Sequence, residues 1–400
     1  MTKLATFFES FLEKGTLFVN KKALQSSYVP DEIQHRDEQM EAIANILAPA
    51  LRLERPSNLF LYGKTGTGKT LVTRHTTEKM MALAEERHIP LKIFYLNCKL
   101  KKIADTEYRL IAGLAREMGK AIPPTGLPTD EVYNIFFQAL DSQHQVIIFI
   151  LDEIDQLVKK AGDEIIYNLT RVNAELKQAQ VSIIGISNDL TFSNNLDPRV
   201  KSSLSEEELV FPPYNAPQIQ SILKRRCGLA FQEGILAEGV IAKCAAYAAR
   251  EHGDARRALE LIRVAGELAE REGAASVQLR HLDAAEEKIE RDRFLDVVQH
   301  QPKQFQVTLA SVIAVSEAAK GAFFTGEIYD QYKELCAKTG LRPLTQRRVS
   351  DIIAELDMLG LINAKVISKG RFGRTREITL GLPKSLIPKV ISILKEELSL

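Results

Sequence analysis

Short apolar runs alternate with stretches of helical periodicity between Pro30 and Phe211. The apolar runs have the length of buried strands, and the segments between them carry apolar residues three or four positions apart. Strands separated by helices indicate an α/β domain in which a parallel sheet has helices on its faces. The predicted strands are Leu59–Tyr62, Lys92–Leu96, Val146–Leu151 and Val181–Ile186.

The pattern changes after the Pro212-Pro213 pair, where helical periodicity continues to Phe294 without strand-like runs. Apolar residues three or four positions apart, such as Leu259 and Ile262, predict an all-helical second domain. The polar stretch Arg291–Gln306 predicts a boundary. We therefore expect three domains, at residues 1–213, 214–296 and 297–400.

The last block predicts three helices followed by a β-hairpin. The helices are expected over Val307–Lys320, Thr325–Lys338 and Thr345–Leu359, and strand-like segments follow within Leu361–Leu380. This order is typical of a winged helix-turn-helix domain.

Composition and charge narrow the class of protein. The 400-residue chain is 45% hydrophobic, which excludes a disordered tail protein. It carries 53 basic and 52 acidic side chains, so any surface that binds nucleic acid must be a local basic patch. The apolar runs are too short for a membrane span, and the N-terminus lacks a signal-peptide pattern, so a cytoplasmic location is expected. The four cysteines are Cys98, Cys227, Cys244 and Cys336. They form no C-x-x-C pair, which argues against a zinc site or a disulfide framework.

The segment after the first predicted strand matches the phosphate-loop pattern G-x-x-x-x-G-K-[ST] and leads into a helical stretch. Glycines let backbone N–H groups face the phosphates, Lys69 brings a positive charge, and the Thr70 hydroxyl is suited to Mg²⁺. The predicted nucleotide-binding residues here are Gly63, Lys64, Thr65, Gly66, Thr67, Gly68, Lys69, Thr70 and Leu71.

Two carboxylates, Asp152 and Glu153, follow the most apolar predicted strand. Ligands of open α/β sheets bind at the carboxyl ends of the strands, so these acids are expected beside the phosphate loop. Asp152 is predicted to hold Mg²⁺, and Glu153 to orient or deprotonate an attacking water. Two acids alone also fit a solvated turn, and it is the phosphate loop that makes the pair informative.

The order of further motifs resembles one family. YVP and HRD precede the phosphate loop, and SND, LDPRVKSSL, FPPYNAPQIQSILKRR and GDARRAL follow it, before the predicted winged helix. In this order the chain resembles the AAA+ ATPases, and within them the archaeal origin-recognition and Cdc-type replication initiators. The resemblance implies a nucleotide-binding AAA+ domain, a helical lid and a DNA-binding winged helix.

The resemblance also implies roles for single residues around ATP. Asn188 would polarise the attacking water and Arg256 would reach the γ-phosphate from the lid. Arg199 would be an arginine finger toward a neighbouring subunit, although Lys201 is a second candidate and a surface salt bridge is an alternative. Nucleotide contacts are further implied for Tyr28, Val29 and Pro30, which would form a strip facing the adenine, and for Arg36, Tyr214 and Arg226, of which Arg226 would approach the phosphates.

A basic hairpin is the predicted DNA-binding element. Between Asn363 and Arg376 there are five basic residues and no acid, and Phe372 lies between two glycines at the expected tip. A solvated edge hairpin is the alternative. The residues expected to bind DNA are Lys365, Lys369, Arg371, Phe372, Arg374 and Arg376.

The preceding helix is predicted to be the recognition helix. Thr345 is a suitable N-cap, and Gln346, Arg347 and Arg348 would enter the major groove while Val349 packs inward. The resemblance implies a second DNA contact from an inserted helical element within Lys99–Tyr133. The base sequence that is recognised does not follow from these residues.

Together with these features, the resemblance implies an ATP-regulated replication initiator that binds double-stranded origin DNA with other initiator protomers and helps to recruit or load the replicative helicase. ATP/ADP with Mg²⁺ would act as a switch, hydrolysis would be slow, and the protein would be associated with the nucleoid. Two alternatives stay open: a motor-like AAA+ ATPase of the clamp-loader or remodeller type, and an ATP-dependent transcription regulator.

Overall fold

A computed structural model describes residues 15–99, 106–123, 126–192, 196–204, 206–318, 323–368, 374–383 and 386–398. The chain divides into two compact units between Leu282 and Asp283. None of the helices within these residues combines the length and the apolar composition of a membrane-spanning segment.

A parallel five-stranded sheet organises the first unit, with strand order β2-β3-β4-β1-β5. The predicted α/β fold and the four predicted strands are confirmed, whereas β5 was missed because its sequence, EEELV, is mostly acidic and forms one edge of the sheet. The strands are β1 (Asn58–Tyr62), β2 (Leu91–Asn97), β3 (Val146–Asp152), β4 (Gln180–Ser187) and β5 (Glu206–Val210).

Helices cover both faces of this sheet. All seven residues of the central strand β3 are buried, and its side chains divide between two hydrophobic clusters, with Ile147 and Phe149 in one and Ile148 and Ile150 in the other. This explains why the strand is apolar throughout. The helices are α1 (Asp37–Leu47), α2 (Lys69–Glu86), α3 (Glu107–Glu117), α4 (Thr129–Leu140), α5 (Ile154–Ala161), α6 (Glu164–Arg171) and α7 (Pro198–Leu204).

The helical lid follows in the same compact unit. It begins at a capping box. The Asn215 side chain accepts the Gln218 N–H, and the Gln218 side chain accepts the Asn215 N–H. The boundary predicted at Arg291–Gln306 stays a prediction; within this stretch the chain is helical up to Gln299. The lid helices are α8 (Ala216–Ala230), α9 (Val240–Arg250) and α10 (Ala255–Glu272), and α11 (Leu279–Gln299) extends from the first unit into the second.

The second unit is a winged helix, as predicted. Its three-stranded sheet has the order β6-β8-β7, and β7 and β8 form the antiparallel wing. The short β6 and the last helix were not predicted. The elements are α12 (Lys303–Ala318), β6 (Phe323–Phe324), α13 (Thr325–Thr339), α14 (Gln346–Met358), β7 (Ile362–Ser368), β8 (Arg374–Leu380) and α15 (Ile387–Leu398).

Candidate nucleotide site and DNA-binding elements

The phosphate loop connects β1 to α2, as its sequence predicts. Gly66 and Gly68 have φ angles of +74° and +93°, which favour glycine. A Cβ at Gly68 would lie 2.9 Å from the Tyr214 hydroxyl oxygen. Tyr214 therefore packs directly on the loop.

The Lys69 side chain is held inside the loop. Its ammonium donates to the carbonyl oxygens of Gly63 at 2.7 Å and Lys64 at 2.9 Å, and to the Asn188 side-chain oxygen at 2.9 Å. Burial lowers the pKa of Lys69 to about 8; the Arg256 charge acts in the same direction and the Asp152 carboxylate opposes it. The structure thus brings Asn188 to the phosphate loop, where the resemblance had placed it.

The side chains of Thr70, in α2, and Asp152, at the end of β3, are also in contact. The Thr70 hydroxyl donates to Asp152 Oδ2 at 2.8 Å, and the Glu153 N–H donates to Asp152 Oδ1 at 2.9 Å. A hydroxyl and a carboxylate beside a phosphate loop are the hard oxygen donors that Mg²⁺ prefers, so this pair fits the metal.

Tyr95 is a member of this site that the sequence analysis missed. Its hydroxyl donates to Asp152 Oδ2 at 2.7 Å, and the Arg74 guanidinium lies 3.9 Å from the centre of its ring. Burial, together with the hydrogen bond to Asp152, raises the pKa of Tyr95 to about 12, so the hydroxyl remains a donor at neutral pH. The sequence carries no local signal for this role, because only the register of β2 against β3 brings Tyr95 to Asp152.

Glu153 begins the turn into α5 with a left-handed backbone, at φ +56°. Its carboxylate lies 3.7 Å from the Lys99 ammonium, and its side chain is only partly exposed. Glu153 thus lies one residue beyond Asp152, at the same end of the sheet as the phosphate loop.

A cleft lies between the phosphate loop, the N-terminal segment and the lid. Its lining joins the strip expected to face the adenine to the start of α10. The lining includes Tyr28, Val29, Pro30, Gly66, Gly68, Thr70, Leu71, Tyr214, Arg226 and Arg256.

Arg36 is buried behind the phosphate loop and does not line this cleft. Its Nε donates to the Thr67 carbonyl oxygen at 3.0 Å and its Nη2 to that of Pro212 at 2.6 Å, while the guanidinium lies 3.9 Å from the Tyr214 ring centre. Burial lowers the pKa of Arg36. The expected nucleotide contact is thus replaced by a bridge between the phosphate loop and the segment that leads to the lid.

Arg226 also differs from its expected placement. It donates to the carbonyl oxygens of Ala23 at 2.5 Å and Gln25 at 3.0 Å, and its guanidinium lies 4.6 Å from the Tyr28 ring centre. The reason is that α8 packs against the Lys21–Leu24 turn, toward which this side chain points. Arg226 therefore supports the strip expected to face the adenine, whereas the resemblance implied that it would approach the phosphates.

The lid meets the phosphate loop through Asp254, which the sequence analysis did not single out. Asp254 caps α10 by accepting the N–H groups of Arg256 and Arg257, and a Cβ at Gly66 would overlap its carboxylate. The Ala255 N–H donates to the Gly66 carbonyl at 3.3 Å. This cap places Arg256 at the cleft.

Arg199 lies on the surface at the start of α7. Its side chain is 85% exposed and its Nε lies 3.1 Å from Asp197 Oδ1, so the surface ion pair named as an alternative is present. Lys201 on the same helix is also exposed.

The helix predicted to be the recognition helix, α14, has the predicted N-cap and buried face. Thr345 accepts the Arg348 N–H at 3.4 Å, and Val349 is fully buried. Gln346, Arg347 and Arg348 are exposed.

The wing is described only in part. Arg376 Nη1 donates to the Ser350 carbonyl oxygen of α14 at 2.5 Å, so its half-buried guanidinium is engaged within the domain, which differs from the predicted DNA contact. Lys365 is exposed and pairs in register with Glu377. Lys369, Arg371 and Phe372 lie outside the described residues, and Arg374 begins β8, where its side chain is not described.

Comparison with known proteins identifies the family. The AAA domain family matches residues 52–191, the Cdc6 AAA+ ATPase-type lid domain matches 220–287, and the CDC6 C-terminal winged helix domain matches 296–390. An ORC1-type DNA replication protein of Pyrococcus furiosus is 52% identical over 97% of this chain and 93% of its own. The chain belongs to the ORC1-type DNA replication proteins.

Further ORC1-type relatives agree with the geometry. The ORC1-type DNA replication protein 1 of Methanosarcina mazei is 51% identical over 96% of this chain and 92% of its own. The structure of the Aeropyrum pernix ORC1 protein in complex with DNA superimposes with a TM-score of 0.85, at 44% identity over 96% of this chain and 98% of that one. The AAA+ domain, lid and winged helix are therefore those of an ORC1-type protein.

Proposed function

We propose that this chain is an ATP-regulated replication initiator that binds double-stranded origin DNA and helps to recruit or load the replicative helicase at the nucleoid. The supporting observation is a phosphate-loop site, closed by a lid, in the same chain as a winged helix with an exposed basic recognition helix. The ORC1 protein of Aeropyrum pernix, to which the chain is similar over nearly its whole length, is described in complex with DNA.

The chemistry proposed for the site is slow ATP hydrolysis. Thr70 and Asp152 would hold Mg²⁺, which would neutralise charge on the phosphates when bound. Lys69 contributes a positive charge at the β- and γ-phosphates, Glu153 orients the attacking water, and Asn188 polarises it.

The switch would operate through the lid. Because Asp254 lies on Gly66 and fixes the start of α10, a γ-phosphate that draws Arg256 inward would change the lid contact with the phosphate loop. The exposed Arg199 would complete the site of a neighbouring protomer. ATP then acts mainly as a ligand that selects a conformation.

Fluorescence anisotropy on tiled genomic duplexes, at fixed moderate salt with ATP or ADP, tests this function. We expect tight binding to a few origin duplexes, a different affinity with ADP, and loss of binding in the Arg371/Arg374 double alanine variant. Lys69→Ala should remove the nucleotide effect, and Glu153→Gln should bind ATP without hydrolysing it.

Two results would contradict the proposal. Weak, uniform DNA binding with rapid turnover of ATP in the absence of DNA would favour a motor-like ATPase. Tight binding confined to promoters, unaffected by Glu153→Gln, would favour a transcription regulator.

A further inference from the structure

Tyr95 shares a face of the sheet with Asp152. In the parallel register of β2 and β3, Tyr95 pairs with Ile150 and Asn97 with Asp152. Alternate residues of a strand point to the same face, so the Tyr95 ring lies diagonally across from Asp152. Its hydroxyl reaches Asp152 Oδ2 at 2.7 Å.

Three donors fix the Asp152 carboxylate. Oδ2 accepts the hydroxyls of Tyr95 and Thr70, and Oδ1 accepts the N–H of Glu153. The donors come from β2, from α2 and from the residue that follows β3, and Asp152 is only 6% exposed. The carboxylate thus has one orientation that satisfies all three donors.

The Tyr95 ring is itself held in place. Arg74 lies one helical turn beyond Thr70 in α2, and its guanidinium stacks 3.9 Å from the ring centre. The same helix therefore carries the Thr70 hydroxyl and the side chain that locks Tyr95.

We propose that Tyr95 is a positioning residue for the metal–nucleotide complex. It orients the Asp152 carboxylate and, through it, the Thr70 hydroxyl, so that both oxygens are arranged for Mg²⁺ before the metal arrives. The inference rests on the proposed use of Mg²⁺ and ATP. Outer-shell partners of metal ligands typically contribute 10- to 100-fold to metal affinity or activity.

Tyr95→Phe tests this role because it keeps the ring on Arg74 and removes only the hydroxyl. Binding of a fluorescent ATP analogue is titrated against Mg²⁺ and repeated in EDTA. We expect the Mg²⁺ concentration for half-maximal enhancement of binding to rise about tenfold, while the affinity in EDTA stays at the wild-type value.

Tyr133→Phe is the matched control. The Tyr133 hydroxyl donates to Glu107 Oε1 at 2.5 Å, so this variant also removes a hydroxyl–carboxylate hydrogen bond, but one between α4 and α3. We expect its Mg²⁺ titration to coincide with that of the wild type.

A double-mutant cycle separates positioning from a general structural effect. In an Asp152→Ala background, Tyr95→Phe should cause no further change in Mg²⁺ dependence, because Tyr95 acts through that carboxylate. An unchanged titration in Tyr95→Phe, or equal losses with Mg²⁺ and in EDTA, as misfolding would give, overturns the inference. Failure of the wild type to bind ATP at all would instead contradict the proposed function.

Discussion

The ammonium of Lys69 and the side-chain oxygen of Asn188 lie 2.9 Å apart. The two residues are distant in sequence, but they follow β1 and β4, which are neighbours in the sheet. Their contact joins the phosphate loop to the residue expected to polarise the attacking water, because the two residues follow adjacent strands.

The lowered pKa of Lys69 predicts a pH dependence of ATP binding. With a pKa of about 8 in the free protein, Lys69 loses its charge as the pH rises through that value, whereas a bound polyphosphate favours the charged form. We expect ATP affinity to fall about tenfold between pH 7 and pH 9, as about nine-tenths of the free lysine loses its proton. Fluorescence titration of a labelled ATP across this range measures it.

Proton uptake provides the control for this prediction. ATP itself is fully ionised above neutral pH, since the last phosphate pKa is about 6. Calorimetry near pH 8.5 in buffers of different ionisation enthalpy should therefore report net proton uptake on ATP binding. An affinity independent of pH, with no uptake, would show that Lys69 is already fully charged or uninvolved.

Arg36→Lys is expected to weaken ATP binding although it preserves the charge. A lysine cannot donate to both the Thr67 and Pro212 carbonyls while stacking on Tyr214. Each buried acceptor left unsatisfied costs about 1–3 kcal/mol, so thermal unfolding of the nucleotide-free protein should also shift downward. Arg280→Lys, at the exposed pair with Glu272, is the control and should change neither. Wild-type melting and binding in Arg36→Lys would exclude the bridge.

The roles of Arg36 and Arg226 show where prediction from sequence stops. The strands, the phosphate loop and the acids after β3 were predicted because each has a local pattern of apolar periodicity or fixed spacing. Which partner a buried arginine selects depends on carbonyl groups far away in the sequence, such as Pro212 for Arg36 and Ala23 for Arg226. Tyr95 was missed for the same reason, since only the register of β2 against β3 brings it to Asp152.

Gly66→Ala should displace the lid from the phosphate loop. A methyl group there would overlap the Asp254 carboxylate, and the φ of +74° is unfavourable for alanine. We expect ATP binding to be lost while the winged helix stays folded, as followed by fluorescence titration and circular dichroism.

Gly113→Ala is the matched control for Gly66→Ala. Gly113 lies within α3, and the nearest atom to an added Cβ is 4.0 Å away. Replacing a helical glycine with alanine should stabilise the protein by up to about 1 kcal/mol and leave ATP binding intact. Similar behaviour of the two variants would indicate that the Gly66–Asp254 contact does not control the site.

Two arginines of the winged helix should differ in their effect on DNA binding. Arg347 is exposed at the start of α14, where a positive charge entering the major groove would also displace counterions from the DNA, so Arg347→Ala should reduce the slope of log affinity against log salt by about one. Arg376 instead donates to the Ser350 carbonyl oxygen, so Arg376→Ala should lower the unfolding free energy of the domain by about 1–3 kcal/mol and leave the slope unchanged. Anisotropy at several salt concentrations and thermal melting separate the two effects. A reduced slope in Arg376→Ala with normal melting would place that guanidinium on DNA after all.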